Sequence, residues 1–286
     1  LVRGHAEGVQ ASLGFNYATS TFEGVQATLG FNASGDHLEG VQAALGVNYA
    51  PSLKGVQFSN GANVAKQLEG AQIGMVNVTT GDTDGAQVGM VNVETTDAEG
   101  AQLGMVNVTG SNDFQLGLVN YTQRTKGVSL GLVSYAADDG ILDFVLFSGD
   151  TALGGIGAEI GTKHLYTQAS FSAGTWEVAD ALAFGLHWGG RVFPTDWLEL
   201  SLDVGNQWVD VDGSFSEPDL INSLRLRAGF RIAEPVLVFV GPTFNVLVDL
   251  HDAGADRARL APSYAARPRD DRVYLYPGLV AGVQFF

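Results

Sequence analysis

The first half of the chain alternates apolar and polar positions in short stretches that end in polar turns. Within Ala71–Val78, Ala, Ile and Met occupy alternate positions, and Gln, Gly and Val lie between them. A period of two residues is typical of a β-strand. The following segment, Thr79–Gly85, is rich in Thr, Asp and Gly, which favour turns. The pattern therefore predicts short strands separated by tight bends.

The same pattern recurs in nine units, spaced 13 to 16 residues apart. Eight units carry a glutamine followed five or six positions later by an asparagine, and Ser129 and Ser134 take these places in the ninth. The glutamines are Gln10, Gln26, Gln42, Gln57, Gln72, Gln87, Gln102 and Gln115. The asparagines are Asn16, Asn32, Asn48, Asn63, Asn77, Asn92, Asn107 and Asn120. Self-similarity at a nearly fixed period indicates a repeat architecture.

Identical residues at identical positions favour a β-solenoid, in which each coil stacks about 4.8 Å from the previous one. Stacked Gln and Asn side chains can form hydrogen-bonded ladders, and stacked Gly permits the same tight corner in every coil. The alternative is one closed up-and-down barrel of about 16 strands that includes the repeats. Successive strands of such a barrel alternate in direction, so it would repeat in hairpins with two kinds of turn. Here single units repeat with similar turns.

The spacing inside the unit changes once along the chain. Six positions separate Gln from Asn in the first four units, and five separate them in the later units. We expect the loss of one residue to change a bulge or a corner and to mark a bend.

From about Ala136 the repeat stops and longer alternating strands begin. Eight strands are predicted, at 141–149, 153–163, 165–176, 181–193, 197–211, 221–233, 235–250 and 272–286. Strands of this length suit a membrane crossing. Four tryptophans lie near predicted strand ends, where an interfacial aromatic girdle is expected, namely Trp176, Trp188, Trp197 and Trp208.

The polar faces of these strands carry ionisable side chains that would point into a closed barrel. They are Glu159, Lys163, His187, Arg191, Glu199, Asp203, Arg225, Arg227 and Arg231. An eight-stranded barrel is just wide enough inside for side chains, so we interpret them as an interior salt-bridge network. Charges buried there must be paired. A polar passage, or an anion site formed by three of the arginines, is the alternative.

Composition narrows the function classes. The net charge of −16 argues against nucleic acid as a partner, because phosphate binding requires clustered Lys and Arg. The absence of Cys excludes disulfides and thiolate metal sites. Charged residues are only 16% of the chain, which is low for a soluble surface. No run of 18 apolar residues occurs, whereas the alternation remains compatible with a membrane β-barrel.

The GxQxGxVN units, the segment GAEIGTKHLYT and the C-terminal GLVAGVQFF resemble the leptospiral surface-repeat family of bacterial envelope proteins. The repeat resemblance extends over about Glu7–Tyr135. The last strand also resembles the assembly signal of outer-membrane proteins, although Phe286 is one residue beyond the alternation of Val283 and Phe285. The resemblance implies a place in the bacterial outer membrane or on the cell surface. It transfers no chemistry to named residues.

Few residues suggest catalysis or metal binding. The acidic turns Thr79–Gly85, Val93–Gly100 and Ala137–Gly140 offer oxygen ligands for Ca²⁺ but lack the spacing of a calcium loop, so we interpret them as solvated turns. Neither HExxH, a Gly-x-Ser-x-Gly elbow nor a phosphate-binding glycine loop occurs. A hydrolytic site at His251 and Asp252 is the enzymatic alternative. We expect no enzyme, no cofactor and no metal.

The sequence therefore predicts an all-β chain with a solenoid-like β-repeat region at 1–135 and an antiparallel outer-membrane-type β-barrel of about eight strands at 136–286. The expected function is non-enzymatic: a barrel anchor in the bacterial outer membrane carries a repeat module for structural or adhesive contacts. Outer-membrane lipid and other envelope proteins are the expected partners. One alternative is a porin-like channel whose wall includes the repeats, and another is a soluble secreted solenoid.

Overall fold

The computed structural model describes residues 2–175, 177–211, 218–250, 260–267 and 272–286. The chain divides into two compact units, Leu1–Gly140 and Ile141–Phe286. The first unit extends past Tyr135 because the strand Val133–Ala136 pairs with the strand Val119–Thr122 of the preceding repeat. No helix in the described ranges has the length and apolar character needed to cross a bilayer.

The first unit, here called the repeat unit, is a 16-stranded sheet wound into nine coils. Each coil has a Gln side and an Asn side. The Gln side is formed by β1 (Ala6–Ser12), β3 (Phe22–Thr28), β5 (His37–Ala44), β9 (Thr83–Val88), β11 (Ala98–Leu103), β13 (Phe114–Leu116) and β15 (Val128–Leu130). The Asn side is formed by β2 (Phe15–Ala18), β4 (Phe31–Ser34), β8 (Val76–Thr79), β10 (Val91–Glu94), β12 (Val106–Thr109), β14 (Val119–Thr122) and β16 (Val133–Ala136). Two longer strands, β6 (Val47–Ser59) and β7 (Ala62–Ile73), contribute to both sides.

The strands of successive coils pair in parallel, with equivalent residues opposite each other. Gln10 lies opposite Gln26 on the Gln side, and Asn77 lies opposite Asn92 on the Asn side. Parallel pairing confirms the predicted solenoid. The alternative barrel of about 16 strands is wrong, because an up-and-down barrel requires antiparallel neighbours. The porin-like channel whose wall includes the repeats is therefore wrong as well.

The shorter spacing between Gln and Asn in the later repeats alters one corner of the coil. In the early coils the second residue after Gln points inward and is small, as at Thr28 and Ser59. In the later coils Gly takes this place, and a Cβ on Gly74 would lie 2.9 Å from the Ser59 side chain. The asparagine hydrogen bonds continue across the change at 2.9 Å, from Asn63 to Asn77. Gly thus replaces the inward-facing residue, the position that is lost lies in the turn between it and the Asn strand, and the stacking is uninterrupted.

The second unit is a closed barrel of eight antiparallel strands. They are β17 (Ile141–Gly149), β18 (Ala152–Gly161), β19 (Leu165–Ala173), β20 (Leu182–Pro194), β21 (Leu198–Asp210), β22 (Asp219–Ala233), β23 (Val236–Val248) and β24 (Val273–Phe285). Each strand ends within three residues of its predicted bounds. The barrel closes where β17 pairs with β24, with Phe144 opposite Phe285.

Alternation along the barrel strands places polar residues inside and apolar residues outside. On β22, for example, Ser223, Arg225 and Arg227 are buried. Their neighbours Leu224 and Leu226 are 47% and 48% exposed. At the level of these residues the arrangement is the reverse of a soluble barrel, whose interior is apolar.

Candidate functional site: the side-chain ladders and the charged barrel interior

The predicted glutamines form one continuous column inside the repeat unit. Each Nε2 donates to the Oε1 of the glutamine in the preceding coil at 2.7 to 3.0 Å, from Gln26 onto Gln10 through to Gln115 onto Gln102. Ser129 ends the column by donating to Gln115 at 2.8 Å. A second Nε2 bond reaches a backbone carbonyl of the Asn side, such as that of Tyr49 at 3.1 Å from Gln42.

The predicted asparagines form a second column that runs in the opposite direction. Each Nδ2 donates to the Oδ1 of the asparagine in the following coil at 2.8 to 2.9 Å, and Asn120 ends the column on Ser134 at 3.1 Å. Because the two columns run oppositely, their amide dipoles partly cancel. From Gln26 to Gln115 and from Asn16 to Asn120, the members are at most 2% exposed. The columns are therefore a hydrogen-bonded core, and they offer no surface to a ligand.

The rest of this core changes from apolar to polar along the chain. A column on the Gln side is large and apolar in the early coils, at Phe22, Leu38, Leu53 and Leu68. It becomes smaller at Thr83, Ala98 and Ser111. Smaller side chains leave room for a long side chain on the opposite strand.

Glu94 is a long side chain buried in this polar part of the core. It stands two residues after Asn92, where every other coil carries Ala, Ser or Thr. The residue is 2% exposed, and its Oε2 accepts from Asn112 Nδ2 at 3.3 Å. Burial raises the pKa of the Glu94 carboxyl to about 7, although hydrogen bonds from Thr109 and Asn112 oppose the shift. We did not single out this residue from the sequence, although its column position would have revealed it.

We expect the free energy of unfolding of the repeat unit to decrease as the pH rises from 4.5 to 7. The folded state holds the Glu94 proton more tightly than the unfolded state does, in which the pKa of Glu94 is near 4.5. The loss is about 3 kcal/mol over this window. Glu94→Gln should abolish this pH-dependent loss and make the repeat unit more stable than the unsubstituted protein above pH 7. Hydrogen-exchange protection factors of the full chain at pH 5 and pH 8 provide the measurement. Glu99→Gln, which changes an exposed acid, is the control, and equal pH dependence in both variants would contradict the prediction.

Three arginines and four acidic residues form one charged cluster inside the barrel. Arg227 contacts Glu159 at 2.9 Å and Asp203 at 2.9 Å, and Asp203 also lies 3.2 Å from Arg225. The remaining pairs join Arg191 to Glu199 at 3.2 Å, to Asp143 at 2.5 Å and to Glu159 at 3.8 Å. Strands β17, β18, β20, β21 and β22 all contribute, so the cluster connects walls that are distant in sequence.

Neutral side chains complete the cluster. Tyr166 donates to Asp203 at 2.7 Å and accepts from Arg227. Gln284 donates to Asp143 at 2.7 Å, and Gln168 accepts from Arg225 at 2.6 Å. These contacts bring additional strands, β19 and β24, into the network. A buried ion pair with several supporting hydrogen bonds offsets part of its desolvation cost.

Most of the charges predicted from the sequence belong to this cluster, but Arg231 does not. Its guanidinium lies 4.3 Å from the centre of the Phe286 ring, so the residue beyond the terminal alternation covers it. Lys163 is exposed in a turn, and His187 is buried on the inner wall. Asp143 and Tyr166 were missed, although alternation places Asp143 on the inner face between Leu142 and Phe144.

Apolar residues fill other levels of the barrel interior. One group consists of Ala181, Ala183, Val209, Ile221, Leu247, Leu260, Tyr274 and Tyr276. A second group consists of Val145, Phe147, Ala152, Leu237, Phe239 and Val280. Because these side chains and most of those in the charged cluster are buried, side chains fill the interior at these levels. Among the described residues, the three arginines form no anion site, since each faces an acidic residue.

The outer wall of the barrel is apolar around its circumference. Its exposed side chains, between 42% and 62% accessible, include Leu142, Phe144, Leu146, Ile156, Phe171, Phe184, Leu202, Val204, Leu224, Leu226, Val240, Phe244 and Leu279. Such a surface is much larger than the apolar patches that soluble monomers expose.

The tryptophans fit the predicted girdle only in part. Trp197 directly precedes β21, and Trp208 lies near the end of that strand, stacked on Phe184 at 5.9 Å. Trp188 lies in the middle of β20 and faces outward, so its assignment to a strand end was wrong. Trp176 lies outside the described residues.

The only group in the described ranges with metal-binding geometry is His5, Glu7 and Glu23, and all three are exposed. It does not involve the acidic turns considered from the sequence. His251 and Asp252 lie outside the described residues.

Comparison with protein-family models and with curated proteins gives no match to this sequence. Among solved structures, the crystal structure of Neisserial surface protein A (NspA) matches with 15% sequence identity and a TM-score of 0.29. The match covers 50% of this chain and 93% of that chain. A similarity of this size carries no argument about activity. The leptospiral surface-repeat resemblance therefore stays an expectation.

Proposed function

We propose that this chain is a non-enzymatic protein of the bacterial outer membrane, in which the barrel is an anchor and the repeat unit makes structural or adhesive contacts. The observation that carries the proposal is the polarity of the barrel, which has charges inside and an apolar belt outside. Exposing such an apolar belt to water costs free energy, whereas the hydrocarbon core of a bilayer solvates it without that cost. All backbone groups within a closed barrel wall can pair with each other, as a spanning structure requires.

Anchoring is favoured over transport because the interior is closed. Eight strands leave room only for side chains, and here the charged cluster and two apolar groups occupy that room. We find no arrangement of catalytic groups in the described residues that would favour an enzyme. Lipid and other envelope proteins are accordingly the proposed partners.

Two substitutions on the same face of β22 test membrane insertion. Leu226→Arg puts a charge at the middle of the strand, and Ile232→Arg puts one near its end, where the native side chain is 67% exposed. In lipid, Leu226→Arg should destabilise the barrel by about 2 to 4 kcal/mol and Ile232→Arg by about 0 to 1, because the cost of a charge depends on depth. The measurement is urea unfolding of the full chain in phospholipid vesicles. Equal, small effects at both positions would overturn the proposal and favour a soluble protein.

A conductance measurement on the inserted full chain separates an anchor from a pore. Gel migration before and after boiling first establishes that the barrel is folded. We then expect planar bilayers that contain the protein to show no stepwise current. Reproducible steps from folded protein would contradict the anchor and support a passage.

A further inference from the structure

The corner that follows each glutamine is apolar and exposed along the repeat unit. Three positions after the glutamine, or after Ser129, the chain carries Leu or Met in eight of nine coils, with 43% to 81% exposure. These residues, here called the apolar edge, are Leu13, Leu29, Leu45, Met75, Met90, Met105, Leu118 and Leu132. Asn60 takes the place in the fourth coil.

The surroundings of the apolar edge contain no charge. No Asp, Glu, Lys or Arg occurs between the glutamine position and the residue after the asparagine position in any coil. Flanking apolar residues are exposed as well, such as Phe15 at 62% and Phe58 at 48%. Nine coils at about 4.8 Å give a ridge roughly 38 Å long. An apolar surface of this length, interrupted at Asn60, marks an interaction site.

Backbone groups of the apolar edge form hydrogen bonds between coils. The amide of Met90 donates to the carbonyl of Met75, that of Met105 to Met90 and that of Leu118 to Met105, each at 3.0 Å. In the early coils the edge amide of Leu45 donates to the Thr28 carbonyl at 3.3 Å, and beside the edge Phe31 donates to Gly14 at 3.0 Å. Because these groups are already paired between coils, they can leave water without losing hydrogen bonds.

The opposite end of the Gln strand is acidic in six of the nine coils, with Lys54 in the fourth coil and Asn112 and Lys126 in the last two. In successive coils the residue three positions before the glutamine is Glu7, Glu23, Glu39, Lys54, Glu69, Asp84 and Glu99, and these residues face each other in the parallel pairing. Between the two edges, tyrosines point outward from the Asn strands, with the rings of Tyr121 and Tyr135 6.4 Å apart. In the first and third coils an apolar ridge, a half-buried tyrosine (Tyr17 or Tyr49) and an acidic margin residue thus occur together. Tyrosine at such a boundary is typical of a membrane interface.

We propose that the apolar edge docks into the interfacial region of a lipid bilayer, with the acidic margin directed towards water. Lipid is favoured over a second copy because the edge is a convex corner. A ridge buries little area against another rigid ridge, whereas lipid conforms to it. This inference rests on the proposed function, since a barrel in the membrane keeps the rest of the chain near lipid.

Because the chain has no Cys, a single label can report on each edge. Met90→Cys places a polarity-sensitive fluorophore on the apolar edge, and Glu99→Cys places it on the acidic margin as the control. Both full-length proteins are inserted into phosphatidylcholine vesicles with and without spin-labelled lipid. We expect the label at position 90 to shift to the blue and to be quenched by the spin label. The label at position 99 should do neither.

The outcomes separate docking from anchoring, because heat-dependent gel migration reports barrel folding in the same sample. A folded barrel with an unquenched label at position 90 overturns docking and leaves the anchor standing. A blue shift of the label at position 90 that rises with protein concentration, without quenching by the spin-labelled lipid, also overturns docking into lipid. It identifies a second copy of the chain as the occupant of the apolar edge. If the barrel does not insert, the anchor fails. The uninserted protein is then floated with the same vesicles, and quenching of the label at position 90 is measured in that sample. Absence of quenching there also overturns docking of the apolar edge.

Discussion

Gly70→Ala is expected to disrupt the repeat unit around its fifth coil. Gly70 has a φ of 129°, in a region that residues with a Cβ rarely adopt. An added Cβ would also lie 2.1 Å from the carbonyl oxygen of Gly55 in the preceding coil. The strained backbone and the overlap together should cost about 3 kcal/mol or more.

The effect should extend to neighbouring coils. Gly70 is stacked between Gly55 and Gly85, and the Cβ meets backbone, which cannot rotate away as a side chain can. In a solenoid each coil is stabilised mainly by its two neighbours, so a shifted coil weakens two interfaces. Hydrogen exchange of the full chain should show lost protection on both sides of position 70.

Gly8→Ala is a matched control. Gly8 has a φ of 110° in the equivalent position of the first coil, but a Cβ there meets no atom within 4 Å. Alanine at this position should therefore show only the backbone strain, about 1 to 3 kcal/mol, with its effect confined to the first coil. If the two variants lose protection equally, the close approach between coils is not what requires glycine.

The repeated Gln and Asn columns could be predicted from the sequence, whereas the buried Glu94, which occurs in one coil only, was missed. The Gln and Asn columns could be predicted because parallel stacking rewards the same residue in every coil. Glu94 breaks its column, which the sequence alone displays, but its hydrogen-bond partner Asn112 follows only from three-dimensional packing. The direction of the two ladders likewise depends on how the corners orient the amides.

Alternation predicted the inner wall of the barrel but not the connections across it. A period of two residues says which side of the wall a side chain faces. It does not say how far along the axis the side chain lies, because the strands are staggered. Arg231 has the right parity, but it lies near the end of β22 against Phe286, away from the charged cluster. Position along the axis comes from the pairing between strands.

Arg227→Met is expected to destabilise the barrel by about 3 to 5 kcal/mol. Arg227 is 3% exposed and lies between Glu159 and Asp203, at 2.9 Å from each. Methionine fills a similar space but removes the positive charge that both carboxylates face. Breaking a buried pair from one side leaves uncompensated charge, which is far more costly than the pair itself is favourable.

Arg231→Met on the same strand is the control, since it removes an arginine that stacks on Phe286 outside the cluster. Its loss should cost about 1 kcal/mol. Every tryptophan of the chain lies in the second unit, so fluorescence during urea unfolding in vesicles reports the barrel without a contribution from the repeats. A large difference between the variants would mean that interior ion pairs hold the anchor together. Equal, small losses would mean that water reaches Glu159 and Asp203, and a hydrated interior would favour the polar passage over the anchor.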